Sequence, residues 1–429
     1  MILLINTIIY VIFTYVVWKK NGKGVNMPFL LWGTYTFFYI LAYVLVQNAS
    51  IVYRLFSIVF VRLDTPLKVD GLVYMFICLL ILSIPILTFK EGKMAKIISP
   101  NPTSFKIFVV VYIILGFFSM IVNYNLVLQN MSRGLSFDEI KDLSFSGELS
   151  DMPVYHIYIK TLFSGLECTG LIMLFYLFVK RKEHPKLLLL LVFSCTFLSP
   201  FFDAIGNASR GGFYFIFCNY VLCIVLFRNF LSRKIKKNLT LVCVIFLCSM
   251  LIFITLITSS RFDGGGGSSS LYSLLLYFGQ PFLNFNQMIY GEIASNALLD
   301  GRMSFEYIYR LIEGGESLVI TDSVQQWSNK LGFFADLFYT SIGNFYMDFG
   351  EVGAIVMCII FSFIGYNVLK GTTKIVSFHQ LIFYFFYFQL CFQGIFNFTY
   401  GRNTGNIKLI ITLLCYFFFR LTFSKKRIM

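Results

Sequence analysis

Residues 71 to 89 read GLVYMFICLLILSIPILTF and residues 239 to 258 read LTLVCVIFLCSMLIFITLIT. Each is an uncharged apolar run close to the roughly 20 residues that a helix, rising about 1.5 Å per residue, needs to cross a bilayer. Helix is the required form, because backbone polar groups in hydrocarbon must be satisfied within their own segment. A transmembrane barrel would alternate apolar and polar residues in segments of about 10, and no such alternation runs through this chain. Working outward from these two runs, similar segments occur at 2 to 18, 27 to 47, 107 to 124, 157 to 179, 186 to 204, 211 to 227, 352 to 369, 378 to 396 and 406 to 423. The expected fold is therefore all-α, a polytopic membrane helix bundle of about 11 transmembrane helices with a large extracytoplasmic loop before the last three. Composition agrees: 58% of residues are hydrophobic and 13% charged, against about 25% charged in a soluble domain, so a water-soluble globule is excluded.

The formal charge of +14 is spread through short clusters between apolar runs rather than gathered in one patch, which argues against a nucleic-acid partner. Alternate connections carry Lys19-Lys20, Lys90 with Lys93 and Lys96, Lys180-Arg181-Lys182, Arg233-Lys234 with Lys236-Lys237, Lys370 with Lys374, and Lys425-Lys426-Arg427. By the positive-inside tendency these connections face the cytoplasm, the amino terminus lies outside and the carboxyl terminus inside. Acidic residues give a second check, since only Glu91 and Glu183 fall on the basic side. Run 2 to 17 has no basic residue before it and no small-residue cleavage site after it, so it is expected to be a retained helix rather than a signal peptide. All ten cysteines fall in expected spans, so neither a disulfide nor a cysteine-based metal site is expected.

Three parts follow: residues 1 to 258 with spans one to eight, 259 to 351 as the large outer loop, and 352 to 429 with spans nine to eleven. Inside the loop, Gly264 to Ser270 (GGGGSSS) is expected to be a flexible link. Residues 302 to 313 repeat apolar side chains at Phe305, Ile308, Tyr309 and Ile312, a helix with one buried face. Residues 333 to 349 do the same through Phe334, Leu337, Phe338, Ile342, Phe345 and Phe349, and are expected to lie along the membrane surface. No internal repeat of useful length is present.

Arginine on the outer side needs a reason, because topology depletes it there. Arg210 (NASRGG) opens span seven, Arg261 (SSRFDGG) follows span eight and Arg402 (YGRNTG) lies between spans ten and eleven. Guanidinium groups bind phosphate oxygens bidentately and stay charged, and the neighbouring glycines let backbone approach an anion. The alternative is that these arginines reach for native lipid phosphates or cap helix ends. Arg302 and Arg310 flank Glu306 at four-residue intervals, so they are either anion contacts or a surface charge ladder. Asp348 and Glu351, beside Tyr346 in YMDFGEVG, suit a general base or orienting carboxylate, or else simple capping of span nine. Asp263 either pairs with Arg261 or decorates the loop. Asp203 and Glu167 lie near or within spans, where ionisable groups are functional candidates, with no partner evident. The three histidines (His156, His184, His379) lie outside the large loop, and Walker, Rossmann and zinc-protease signatures are absent.

SRGG opening a span, SSRFDGG closing the next and NFYMDFGEVGAI re-entering the membrane, in a chain with a large outer loop before its last helices, resemble the O-antigen polymerase (oligosaccharide repeat-unit polymerase) family. Most of the chain shares that architecture, and Tyr346 to Gly350 is the most persuasive local element. The resemblance implies a glycosyltransferase of the bacterial inner membrane. Such an enzyme moves a glycan from undecaprenyl diphosphate onto another lipid-linked repeat unit in O-antigen or capsule synthesis. It implies Arg210 and Arg261 on the diphosphates, Asp348 in acceptor activation or positioning, and Arg402 as a second phosphate contact, with Arg302, Arg310, Asp263 and Tyr346 as further substrate-binding candidates. The implied partners are the lipid-linked donor and acceptor, membrane lipids and a chain-length regulator. No cofactor or metal is called for. Two alternatives remain: an O-antigen ligase, disfavoured by the missing loop histidine, and a lipid-linked oligosaccharide flippase, which should place charges inside a central cavity.

Overall fold

A computed structural model describes residues 2–51, 66–137, 139–140, 143, 154–262, 267–313, 320–371 and 374–423. Among these, the chain is an all-α, multi-pass membrane helix bundle. Its helices are α1 (Ile2–Lys20), α2 (Met27–Gln47), α3 (Val69–Thr88), α4 (Pro102–Ser132), α5 (Val154–Val179), α6 (Lys186–Gly206), α7 (Arg210–Phe227), α8 (Arg233–Phe262), α9 (Gly267–Asn284), α10 (Glu306–Glu313), α11 (Ile320–Leu331), α12 (Thr340–Leu369), α13 (Phe378–Gln393) and α14 (Arg402–Leu421). Ten of them, α1 to α8 with α12 and α14, are long and apolar enough to cross a membrane. The eleventh expected span is present as α13, which at 16 residues is about 24 Å long and shorter than the hydrocarbon layer of roughly 30 Å.

Local chemistry fixes where these helices begin. Asn26 accepts a hydrogen bond from the Phe29 amide and Asn101 from the Thr103 amide, each with proline in the first turn, where its missing N–H is harmless. Ser209 caps α7 through the Gly212 amide.

Two compact units form, each assembled from separated stretches of chain rather than in linear order. The first comprises residues 1–89, 262–370 and 387–406. In it α1 and α9 pack on α2, and α12 packs on α3. Its centre is aromatic: Tyr39 stacks on Phe282 with centroids 3.9 Å apart, and Tyr10 and Trp32 are wholly buried beside them. The second unit comprises residues 90–261, 371–386 and 407–429. There α4 packs on α5 and α6, and α7 on α5 and α6. Close approach is possible because Gly170 leaves room for Tyr112, whose ring would sit 2.3 Å from any Cβ there. Tyr112 hydrogen-bonds Thr196 at 2.9 Å, Ser119 meets Ser199, and Asn123 donates to the Ser199 carbonyl next to Pro200. Polar side chains of this kind tie neighbouring membrane helices together. A short parallel pair, β1 (Lys96–Ile98) with β2 (Ile375–Ser377), completes the unit.

Three expectations about the loop need correction. Gly267 to Ser270 form the start of α9 rather than a link; Gly264 to Gly266 lie outside the described residues. Of the segment expected to lie along the membrane surface as a helix, residues 333 to 339 are irregular, with Phe334 48% exposed, and every residue from Thr340 to Asp348 is buried in α12. Asn344 and Asp348 are habitable inside because each accepts backbone amides. The first amides of α12 are capped within the unit: Thr340 donates to the Phe396 carbonyl and Ser341 to that of Gly394, both at 2.7 Å. At Gly350, φ +70° and ψ −172° break α12 before it continues to Leu369. Finally, α10 turns Glu306 inward, 8% exposed, while of the expected buried face Phe305, Ile308 and Tyr309 are half-buried and Ile312 is 77% exposed.

Candidate functional site

In the first unit three stretches singled out by sequence converge: RMSFE (302–306), YMDFG (346–350) and YGRNTGN (400–406). Asp348, 1% exposed, accepts the Met303 amide on one carboxylate oxygen (3.0 Å) and the Ser304 amide on the other (2.8 Å). Backbone bonds from Leu299 to the Met347 carbonyl and from Asp300 to that of Asp348 extend the clamp. On the other side, Asn406 donates to the Ser304 carbonyl and accepts the Tyr307 amide, and the Arg402 amide donates to the Met303 carbonyl. The loop carrying Arg302 is thus held from two directions.

Arg402 opens α14 with φ +58°, and its guanidinium pairs with Asp336 at 2.5 Å and lies 5.9 Å from the Trp327 ring centroid. Left-handed backbone costs a residue with a Cβ roughly 1–2 kcal/mol. Five non-glycine residues adopt it among the described residues: Lys23, Ala208, Asp300, Thr340 and Arg402. Two of the five, Asp300 and Arg402, belong to this clamp, and Ala208 stands two residues before Arg210. Backbone in such conformations persists where its surroundings over-determine it.

The remaining sequence candidates separate. Tyr346 accepts the Gly291 amide on its hydroxyl at 3.1 Å, and nearby burial, with the Glu351 and Asp70 carboxylates, pushes the Tyr290 phenol up to about 12. Arg302 is exposed at the lip of the clamp. Arg310 pairs with buried Glu306 at 2.5 Å and also reaches Ser323 of α11, so these two form a tucked-in pair rather than a surface ladder. Arg210 occupies the first position of α7, in the second unit. Arg261 lies in the last turn of α8, its side chain outside what is described, and Asp263 lies outside the described residues.

In the second unit the two carboxylates singled out from sequence, Asp203 and Glu167, have lysine partners that sequence did not name. Lys160 of α5 pairs with Asp203 of α6, which also accepts from Asn207 at 2.7 Å; Lys408 of α14 stands 3.9 Å from Glu167 of α5. All four side chains keep between 32% and 39% of their surface exposed. Charges within spans are costly among lipid tails, and here each has an opposite charge as its partner. The signal was available, since Lys160 and Lys408 stand in otherwise apolar runs, but the pairing depends on which helices touch. Asp336, which pairs with Arg402, was likewise unmarked by any motif.

Among the described residues no group of three or more histidine, cysteine, aspartate or glutamate side chains is placed to hold a metal ion. Chemically, the first unit offers a guanidinium held at a helix amino terminus, and the second a mixed group of two lysines and two carboxylates. No protein-family profile, curated protein or solved structure matches the chain.

Proposed function

We propose that the protein joins lipid-diphosphate-linked oligosaccharide repeat units into a longer surface glycan, as members of the O-antigen polymerase family do. The observation that carries this reading is that Arg210 and Arg402 each occupy the first position of a membrane helix. A cation there opposes the helix dipole by about 0.3–1 kcal/mol, and the same position favours an anion held by backbone amides and guanidinium together. A diphosphate leaving group is such an anion. In the reaction an acceptor hydroxyl oxygen bonds to the anomeric carbon as the carbon–oxygen bond to the diphosphate breaks. The lipid diphosphate departs with the electron pair, and the hydroxyl proton passes to solvent or a base. Arginines aimed at the departing phosphates stabilise the charge that grows in the transition state.

On this reading Arg402 and Arg210 each contact a phosphate within their own unit, Arg302 adds a contact from its clamped loop in the first, and Asp348 is a positioning residue there, since each of its oxygens accepts a backbone amide. The family reading sets the arginine-bearing helix ends at the outer face of a bacterial cytoplasmic membrane. One observation favours a second reading: the Lys160–Asp203 and Lys408–Glu167 pairs inside spans also suit a lipid-linked oligosaccharide flippase.

Deleting the gene separates the two. Gel profiles of surface glycan should show a single repeat unit for the polymerase, whereas loss of a flippase leaves none. Arg210→Ala should give that single-unit profile at normal protein abundance, and Arg210→Lys should restore only short chains. Normal chain length in Arg210→Ala would remove the diphosphate assignment.

A further inference from the structure

The second unit holds a groove of about 870 Å³ where the end of α5, the start of α6 and the start of α8 meet. Its walls are apolar, built from Phe178, Leu189, Leu190, Phe193, Leu239 and Val242, while Arg181, Lys182 and Lys186 stand at its mouth. This composition is that of a site for one amphiphile, hydrocarbon inside and an anion at the rim.

Charge decides what kind. The carboxylate in the connection that forms the mouth, Glu183, is already paired with Lys180 at 2.7 Å. Two helices begin here, α6 at Lys186 and α8 at Arg233, and neither has an acidic residue in its first turn. Helix α8 instead opens with Arg233, Lys234, Lys236 and Lys237. Positive helix ends and basic side chains therefore repel one another at the same spot, an arrangement that an external anion relieves. Zwitterionic headgroups bring no net charge to offset it.

We infer that this groove binds an anionic phospholipid, with an acyl chain along Leu189, Leu190, Phe193 and Leu239 and the headgroup phosphate at Arg181, Lys182 and Lys186. The site is independent of the glycan reaction proposed above. Each basic side chain at the phosphate strengthens binding through charge-assisted hydrogen bonds.

The test uses the full-length protein purified in mild detergent and offered equal amounts of phosphatidylglycerol and phosphatidylcholine, with bound lipid measured by native mass spectrometry. Phosphatidylglycerol should be retained at least tenfold over phosphatidylcholine and should raise the unfolding temperature. The triple change Arg181→Gln, Lys182→Gln, Lys186→Gln should reduce the preference to within about twofold. A second variant, Leu190→Trp, fills the groove, keeps the cations and should lower retention of phosphatidylglycerol. Equal retention of the two lipids by the unaltered protein overturns the proposal, and so does an undiminished preference in the triple variant. Unchanged retention in Leu190→Trp overturns the placement of the acyl chain.

Discussion

Asp348 and Asp203 are both carboxylates of membrane helices, yet they are held in opposite ways. Asp348 is sealed, 1% exposed, and its partners are backbone amides of one nearby loop. Asp203 is 39% exposed, and its partner is a lysine from another helix. The first arrangement builds a rigid loop; the second keeps charge accessible within the thickness of a membrane. The comparison separates a carboxylate that sets the shape of the site from one that is open to a substrate or an ion.

The contrast can be broken most directly at Asp348. Asp348→Ala strands two buried amides, each worth about 1–3 kcal/mol when unsatisfied, so the purified protein should lose roughly 2–6 kcal/mol of stability. Asp348→Asn keeps one acceptor and should fall between it and the unaltered chain. Unfolding monitored by tryptophan fluorescence in detergent measures both, and an alanine variant as stable as the parent would end the clamp interpretation. A smaller effect is expected at the open pair. In a double-mutant cycle, Lys160→Ala and Asp203→Ala should couple by about 1 kcal/mol in stability or less, as partly exposed ion pairs do, while each alone shortens the surface glycan. Strong coupling in stability with unchanged glycan would make this pair structural like Asp348. The smallest stability change should come from Arg402→Gly. It relieves a left-handed φ, worth roughly 1–2 kcal/mol, and loses the contacts to Asp336 and Trp327, so the net should stay within about 1 kcal/mol while chain length drops. A large loss of stability would show that Arg402 serves the fold more than the site.

Most membrane helices were legible from sequence because each must satisfy its own backbone and be apolar over its whole length. The amino-terminal half of α12 was misread as a surface helix, since apolar periodicity alone does not tell a half-buried helix from an enclosed one. Its uncharged run of Thr340, Ser341, Gly343 and Asn344 held the distinguishing clue. Glu306 was misplaced for the opposite reason: charge spacing along α10 suggested solvent, but Arg310 and Ser323 make the interior habitable for it. Of the site, the separate motifs around Arg302, Asp348 and Arg402 were legible, but their meeting in a clamp, with Asp348 accepting the Met303 and Ser304 amides, was not, because it joins stretches far apart in the chain. The Lys160–Asp203 and Lys408–Glu167 pairs were not, because α5, α6 and α14 meet only after the chain has folded.

The pairing of Lys96 with Ile375 sets an order on biosynthesis. As the chain leaves the ribosome, β1 emerges early and waits with its hydrogen-bonding edge open while α4 to α12 are delivered to the bilayer. Only when residues 375–377 arrive does that edge close, and α14 then supplies Lys408 to Glu167. A chain that ends before residue 375 therefore leaves β1 without its partner strand, an open edge of the kind that quality-control proteases engage.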